Sequence, residues 1–245
     1  MAEPRGKSLK RDESLVSQRL VLALDQSWED CRPWLTRLGG RVWGFKVGSV
    51  LYTERGPEVL SELVGAGFRV FLDLKWHDIP NTVFRAAETA KSLGVSWATI
   101  HAAGGRRMME EASRLQTKDF QLVAVTYLTS LESADLSDLG FSFKKTEEVV
   151  SHFVDLAYKS GIRHFVCSAQ DLKSLALPKR YPDASWICPG IRLAGSAAKD
   201  QRRLASPREA LEWGASYLVI GRTLTAEVDW EQKWQSLVST SAETL

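Results

Sequence analysis

The sequence predicts a single α/β domain, a (β/α)8 TIM barrel in which eight parallel strands alternate with helices. Three observations predict this fold. Short apolar runs recur along the chain, amphipathic helical patterns lie between them, and no linker or low-complexity block divides the 245 residues. The same alternation would also suit a doubly wound open sheet, which is the structural alternative.

Eight short apolar runs have the composition of parallel strands that are buried on both faces. In chain order they cover residues 20–25, 42–48, 68–75, 97–101, 121–127, 164–168, 185–189 and 217–221. Residues 1–18 are polar and charged, which predicts a loosely ordered N-terminal extension. Residues 19–245 are therefore expected to form the barrel domain.

Three of the helices between these strands have recognisable ends. Apolar residues at helical spacing after the third strand predict a helix that Gly94 ends. Thr146 is placed to cap a helix that stops near Gly161. Ser206 opens a capping box with proline at the first helical position, and Gly214 closes that helix.

The composition is that of an ordinary globular enzyme, with 25% charged and 44% apolar residues. A net charge of +2 without a dense basic stripe argues against nucleic-acid binding, and no apolar stretch is long enough to span a membrane. The three cysteines, Cys31, Cys167 and Cys188, are scattered and lack metal-ligand spacing. Since no signal-peptide pattern is present either, we expect reduced thiols and a cytoplasmic protein.

The segment 71–82 is the most informative part of the chain. Asp73, Lys75 and Asp78 place three charges within six residues, directly after an apolar run. Alternate side chains of a strand share a face, so Asp73 and Lys75 are expected to point the same way, whereas Asp78 lies beyond the strand. A buried carboxylate–ammonium pair carries a desolvation cost that chains tend to retain where chemistry needs it. A purely structural ion pair at a strand end is the alternative.

The other strand ends supply further polar side chains, and in such a barrel the active site lies at the C-terminal ends of the strands. Asp25 ends the first strand and Lys46 lies on the second. The alternating signs of Lys46, Asp73 and Lys75 predict an array in which each group holds its neighbour ionised. His101 ends the fourth strand and suits either a satisfied core histidine or a site residue.

Loops after the seventh and eighth strands are the usual phosphate site of these barrels. Arg192 follows Pro189-Gly190 after the seventh strand, and Arg222 follows Gly221 after the eighth. A small-residue loop leads from Arg192 to Gln201. Single arginines are usually solvated surface residues, but two beside glycines at this rim predict a phosphate site. No cluster has metal-ligand spacing and no dinucleotide fingerprint follows the first strand, so we expect neither metal nor cofactor.

On these residues the chain resembles the bacterial-type orotidine 5′-phosphate decarboxylases. The resemblance rests chiefly on Asp-Leu-Lys-Trp-His-Asp-Ile-Pro-Asn-Thr at 73–82. Supporting segments are residues 23–25, 45–48, 100–105, 125–130, 189–192 and 220–222. It covers nearly the whole barrel and implies cofactor-free decarboxylation of orotidine 5′-phosphate (OMP) to UMP and CO₂ in de novo pyrimidine biosynthesis.

The resemblance also implies a role for each matched residue. Lys75 would protonate the C6 carbanion and Asp73 would lie against the substrate carboxylate. Asp78 and Thr82 would reach into the neighbour's active site in a homodimer with shared sites. The remaining contacts would divide between the ribose (Asp25 and Lys46), the pyrimidine (Thr129) and the phosphate (Arg192, Gln201, Gly221 and Arg222).

Two other functions fit part of this pattern. Metal-dependent sugar-phosphate barrels, such as hexulose-phosphate synthase or keto-gulonate-phosphate decarboxylase, resemble the chain in the Asp-x-Lys-x-x-Asp strand end. They lack the Ile-Pro-Asn-Thr continuation and the Leu-Thr-Ser segment found here. A catalytically silent barrel that binds a nucleotide is the other alternative, and the intact set of Asp73, Lys75 and Asp78 argues against it.

Overall fold

The computed structural model describes residues 16–192, 204–225 and 229–242, with side chains described as far as residue 239. Eight strands form one closed parallel barrel in the order β1 to β8, and β1 pairs with β8. Closure confirms the predicted (β/α)8 barrel. It excludes the open sheet, which would leave two edge strands unpaired.

Each predicted apolar run corresponds to one strand. The strands are β1 (Leu20–Leu24), β2 (Gly44–Gly48), β3 (Val70–Trp76), β4 (Trp97–His101), β5 (Gln121–Val125), β6 (His164–Val166), β7 (Ser185–Cys188) and β8 (Tyr217–Ile220). Half of the sixteen strand bounds are as predicted, and the other eight differ by one or two residues.

The helices lie between the strands and pack on their outer faces. They are α1 (Trp28–Leu38), α2 (Ser49–Arg55), α3 (Glu58–Gly65), α4 (Pro80–Ser92), α5 (Gly105–Ser113), α6 (Asp135–Asp138), α7 (Thr146–Lys159), α8 (Ala169–Leu175), α9 (Leu177–Arg180), α10 (Pro207–Glu212), α11 (Arg222–Thr225) and α12 (Trp230–Ala242), with a 3₁₀ turn at Ala102–Gly104. None of these helices, within the described residues, is long and apolar enough to cross a membrane.

The predicted helix ends are largely confirmed. Gly94 and Gly214 take positive φ angles of +80° and +96° after α4 and α10, where a side chain would be strained. Ser206 forms the predicted capping box with Glu209. Thr146 is the first residue of α7 rather than its cap, because the Glu148 carboxylate reaches back to accept from the backbone N–H of residue 145 at 3.3 Å.

The barrel interior is closed at the N-terminal end of the strands. Trp43 and Trp97 stack with ring centroids 3.6 Å apart, and Tyr217 packs edge-on against Trp97 at 4.7 Å. Above them an apolar layer fills the barrel, with Val21, Phe71, Val123, Ile187 and Val219 all buried. The opposite, C-terminal end is therefore the one that can open to a ligand.

The folded part of the chain begins before the predicted boundary at residue 18. Val16 is fully buried and Ser17 is 8% exposed. The carbonyl of Val16 accepts a hydrogen bond from the Arg19 N–H at 2.8 Å. These two residues are therefore buried in the folded chain, and the rest of the predicted extension, residues 1–15, lies outside the described residues.

Candidate active site

A cavity of about 330 Å³ opens at the C-terminal ends of the strands, the size of a small-molecule site. Eight of the eleven predicted site residues line it: Asp25, Lys46, Asp73, Lys75, Thr129, Arg192, Gly221 and Arg222. They come from both halves of the barrel, since β1 to β3 supply the first four and the chain after β5, β7 and β8 supplies the others. As the strand ends predicted, side chains that are distant in sequence lie around one cavity.

Four of these side chains form a continuous charge array, Asp25–Lys46–Asp73–Lys75. The Lys46 Nζ lies 2.9 Å from Asp25 Oδ1 and 3.4 Å from Asp73 Oδ2. The Lys75 Nζ lies 2.9 Å from Asp73 Oδ1. The two inner side chains are nearly buried, at 10% and 12% exposed, whereas those of Asp25 and Lys75 are 45% and 38% exposed. The array thus has two nearly buried members between two that are partly exposed at the cavity.

The array keeps its two inner members charged. Burial alone would raise the pKa of Asp73, but Lys46, Lys75 and hydrogen bonds from Lys75 and Thr99 hold that pKa below its ordinary value. Burial alone would lower the pKa of Lys46, but Asp73 and Asp25 raise it above the ordinary value. At neutral pH the cavity wall therefore presents a carboxylate between two lysine side chains.

The end of β3 departs from regular strand geometry. Its pairing with β4 moves from Leu72↔Ala98 to Trp76↔Ile100, so four steps along β3 match two along β4. Lys75 lies within this bulge with φ +52°, a conformation that side-chain-bearing residues seldom adopt. Asp73 and Lys75 face the same cavity, as predicted, although Lys75 lies in a bulge and not on a regular strand. Its amino group still reaches Asp73, because the bulge turns it there.

Two residues that the sequence interpretation did not assign shape the array. Thr99, fully buried on β4, donates to Asp73 Oδ1 at 3.1 Å and accepts from the Lys75 N–H at 2.7 Å. At Gly48 an added Cβ would lie 3.0 Å from both Asp25 Oδ1 and Lys46 Nζ, tighter than an ordinary contact. The sequence signal for Thr99 was the alternation of side chains along β4. Thr99 lies two residues from both Trp97 and His101, so the three residues share one face of the strand.

The rim formed by β7 and β8 carries the two arginines. The Arg192 guanidinium donates to Thr223 Oγ1 at 2.7 Å and to the Ile191 carbonyl at 3.3 Å. The Thr223 hydroxyl in turn donates to that carbonyl at 3.2 Å. Arg222 is exposed at the first position of α11, the short helix predicted after β8. Gln201 and the loop at 193–198 lie outside the described residues.

Asp78 and Thr82 point away from this cavity. Both are exposed, Asp78 in the turn after β3 and Thr82 in the first turn of α4, and neither is among the described residues that line the cavity. The Asp78 carboxylate accepts from the adjacent Ile79 N–H at 2.6 Å. Ile79 is itself 66% exposed and Val50, on the cavity rim, is 61% exposed. The Asp78 carboxylate and the large apolar side chain of the adjacent Ile79 are thus both exposed to solvent, as is Val50 at the cavity.

His101 has a structural position. Its Nδ1 accepts from the Ala103 N–H at 3.2 Å, at the start of the 3₁₀ turn, and its ring stacks on that of His77 at 5.6 Å. Burial, with the positive charge that His77 and Lys75 can carry nearby, lowers the pKa of His101 to about 4, so the ring is neutral at neutral pH. His101 is not among the described residues that line the cavity.

Across residues 16–192, 204–225 and 229–242, no group of three or more His, Cys, Asp or Glu side chains is arranged to hold a metal ion. Independence from metal stays a prediction that needs a measurement.

Known proteins resemble the chain over nearly its whole length. A sequence model described as "Orotidine 5'-phosphate decarboxylase / HUMPS family" matches residues 18–237. The orotidine 5'-phosphate decarboxylase of Psychromonas ingrahamii is 43% identical over 219 residues, which is 86% of this chain and 92% of that protein. That of Nitrosococcus oceani is 43% identical over 221 residues, 88% of this chain and 94% of that protein.

Solved structures agree with the sequence relatives. The crystal structure of orotidine 5'-phosphate decarboxylase from Lactobacillus acidophilus superimposes with a TM-score of 0.78 and 31% identity, covering 91% of this chain and 99% of that one. The chain therefore belongs to the orotidine 5'-phosphate decarboxylase / HUMPS family.

Proposed function

We propose that this member of the family is a carbon–carbon lyase that decarboxylates OMP to UMP and CO₂ in de novo pyrimidine biosynthesis, without a cofactor. The observation that carries the proposal is the charge array at the open end of the barrel, with Asp73 between Lys46 and Lys75. The relatives described above are named for this reaction.

The chemistry needs electrostatic help at one carbon atom. Loss of CO₂ from C6 leaves an electron pair in an sp² orbital that the pyrimidine ring cannot readily delocalise. A preorganised cation beside that carbon stabilises the developing charge without reorganisation during the step. Lys75 supplies this cation and then the proton, because its amino group lies at the cavity wall and is held 2.9 Å from Asp73.

Asp73 has two effects in this mechanism. In this mechanism its carboxylate would lie against the substrate carboxylate, so repulsion would disfavour the bound substrate relative to the transition state. It also orients the Lys75 ammonium by a direct hydrogen bond. Lys46, buried behind Asp73, keeps the carboxylate ionised while the substrate is bound.

The remaining cavity residues would hold the parts of OMP that do not react. Asp25 and Lys46 suit the ribose hydroxyls, and Thr129 suits the pyrimidine. Arg192 and Arg222 suit the phosphate by charge and fork geometry, with Gly221 and, from the sequence, Gln201. Binding energy from the phosphate can then be used to assemble the site around C6. The three cysteines are buried and outside any disulfide, which fits a reducing compartment, so we place the enzyme in the cytoplasm.

The experiment is a turnover assay that follows the absorbance of OMP with chelator-treated protein. We expect full activity in excess chelator. Activity that is lost in chelator and restored by Mg²⁺ would instead favour a metal-dependent sugar-phosphate barrel. Saturable OMP binding without turnover would favour the silent nucleotide-binding barrel.

We also propose that the active unit is a homodimer in which Asp78 and Thr82 complete the partner's site. Both residues are exposed near Ile79, which follows Asp78 directly and whose large, 66% exposed side chain suits burial against a second copy. In a two-fold dimer each chain offers the same patch to the other, so both sites would be completed together.

Subunit mixing tests this sharing. Asp78→Ala and Lys75→Ala proteins are each expected to be inactive. After exchange, a mixed dimer holds one site with both lesions and one with neither, so equal mixing should restore about a quarter of normal activity. The control pairs Lys75→Ala with Asp73→Asn, whose lesions remove residues of the same chain's cavity and should not complement. Demonstrated exchange without recovery in the first mixture would place Asp78 in its own chain's site.

A further inference from the structure

We propose that Thr99 is a positioning residue for decarboxylation: its hydroxyl holds the bulged end of β3 so that Asp73 and Lys75 face the substrate in one arrangement. The inference rests on the proposed function. It concerns a residue that is fully buried and is not among the described residues that line the cavity, but bonds to both Asp73 and Lys75.

A single hydroxyl makes both connections. The Thr99 Oγ1 donates its proton to Asp73 Oδ1 at 3.1 Å and accepts the backbone N–H of Lys75 at 2.7 Å. The same carboxylate oxygen accepts the Lys75 ammonium at 2.9 Å. Thr99, Asp73 and Lys75 are therefore linked in a closed loop of three hydrogen bonds, in which moving one group displaces the other two.

The bulge explains why such a link is needed. Within it β3 leaves the register of β4, and the Lys75 N–H is bonded to a side chain of β4 instead of its backbone. Lys75 also has φ +52°, a backbone conformation that persists only where the surrounding structure holds it. The Thr99 hydroxyl satisfies the N–H and stabilises the turn that aims the lysine.

Threonine suits this position physically. Thr99 lies on β4 with its side chain inside the barrel, fully buried, and a β-branched residue on a strand has a restricted χ1 angle. Its oxygen is thus placed by β4, which pairs regularly with β5 from Trp97 to His101. The regular strand β4 therefore fixes the position of the hydroxyl that holds the irregular end of β3.

A second buried threonine provides a matched control. Thr126 is also fully buried, just beyond β5, but its hydroxyl donates to the backbone carbonyl of Val166 at 3.1 Å. Replacing either threonine by valine removes one buried hydroxyl at nearly constant volume. Only the replacement of Thr99 removes contacts to the charge array.

The predicted signature is a loss in kcat with little change in KM. Hydrogen bonds to charged groups are the stronger ones, so Thr99→Val should lower kcat about 10- to 100-fold and change KM by less than about threefold. Without the hydroxyl the ionised Asp73 loses a donor, which raises the pKa of that carboxyl. The acid limb of the kcat/KM profile should therefore move to higher pH.

The experiment measures kcat, KM and the pH profile for the unmodified protein, Thr99→Val, Thr99→Ser and Thr126→Val. We expect serine to restore kcat to within about threefold of normal, and Thr126→Val to keep both kcat and the acid limb near normal. If Thr99→Val does not fold, Thr99→Ser and Thr99→Ala make the same comparison, because they too differ by one hydroxyl.

Three results would overturn the inference. In the first, Thr99→Val has the same kcat and the same acid limb as Thr126→Val. In the second, Thr99→Ser is as slow as Thr99→Val or Thr99→Ala. In the third, Thr99→Val changes only KM. Turnover by the unmodified protein separates this failure from that of the proposed function. If the unmodified protein does not turn over OMP, both the proposed function and the positioning role are wrong. If the unmodified protein turns over OMP normally and Thr99→Val is unimpaired, only the positioning role is wrong.

Discussion

The two sides of the cavity are built differently. On the side of β2 and β3, Lys46, Asp73 and Lys75 are bonded to one another at 2.9 to 3.4 Å, so opposite charges within the chain satisfy each other. On the side of β7 and β8, Arg192 and Arg222 line the cavity; the contacts described for the Arg192 guanidinium include the oxygens of Thr223 and Ile191, and Arg222 is exposed. The first side is organised before any ligand arrives, and the second presents positive charge to one.

This difference separates chemistry from binding. Groups that must stabilise a transition state gain most from being fixed in advance, since nothing then has to reorganise during the reaction. Groups that bind a charged, unreactive part of the substrate can contribute through affinity instead. Substitutions on the β2–β3 side should therefore act on kcat, and those on the β7–β8 side on KM.

Lys75→Ala should give the largest effect. Loss of a general acid alone costs about 10²- to 10⁴-fold, and the electrostatic role of the ammonium adds to it. The fold should persist, because Asp73 keeps its ion pair with Lys46 at 3.4 Å. Single-turnover rates and thermal unfolding measure the two quantities.

Lys159→Ala is the control for Lys75→Ala. It breaks an ion pair with Asp155 on the outer helix α7 and should leave turnover unchanged. Near-normal turnover by folded Lys75→Ala would show that catalysis does not depend on the charge array. The proposed contrast between the two sides of the cavity would then be wrong.

Arg222→Ala should have the next largest effect, and on the other parameter. Losing a charge-assisted contact to phosphate costs roughly 1.5–3 kcal/mol, which is about a 10- to 100-fold rise in KM for OMP. Orotidine, which lacks the phosphate, should be bound and turned over equally by the variant and the unmodified protein. An equal loss with both compounds would mean that Arg222 does not bind the phosphate.

The contrast between the two sides was only partly predictable from sequence. The array of Lys46, Asp73 and Lys75 followed from strand ends that meet at one rim; the structure shows these side chains in a chain of ion pairs and adds Asp25 as a fourth member. Apolar runs likewise predicted all eight strands, because burial on both faces leaves an unbroken apolar pattern.

The bulge at Lys75 was not predictable in the same way. It depends on how β3 pairs with β4, and no residue pattern within 70–76 specifies that register. The bond from Thr99 to Asp73 joins residues 26 positions apart, so it appears only once the strands are paired. Val16 was missed for a simpler reason, since the few apolar residues of the polar stretch 1–18 show no periodicity.

Thr223→Val should have the smallest effect, and it sharpens the comparison most. Thr223 holds Arg192 as Thr99 holds Lys75, through one buried hydroxyl, but its bond at 2.7 Å is to a guanidinium on the binding side. The Ile191 carbonyl keeps a donor in Arg192 at 3.3 Å, so the fold should lose little stability. A less constrained guanidinium still carries its charge, and a single hydrogen bond contributes about 0.5–1.5 kcal/mol. We therefore expect KM to rise about two- to twelvefold with kcat nearly unchanged, and Thr223→Ser to restore the normal KM.

The opposite signatures of Thr99→Val and Thr223→Val would assign the β2–β3 side of the cavity to chemistry and the β7–β8 side to binding. If Thr223→Val lowered kcat as Thr99→Val does, the sides would act as one unit and the division would be wrong.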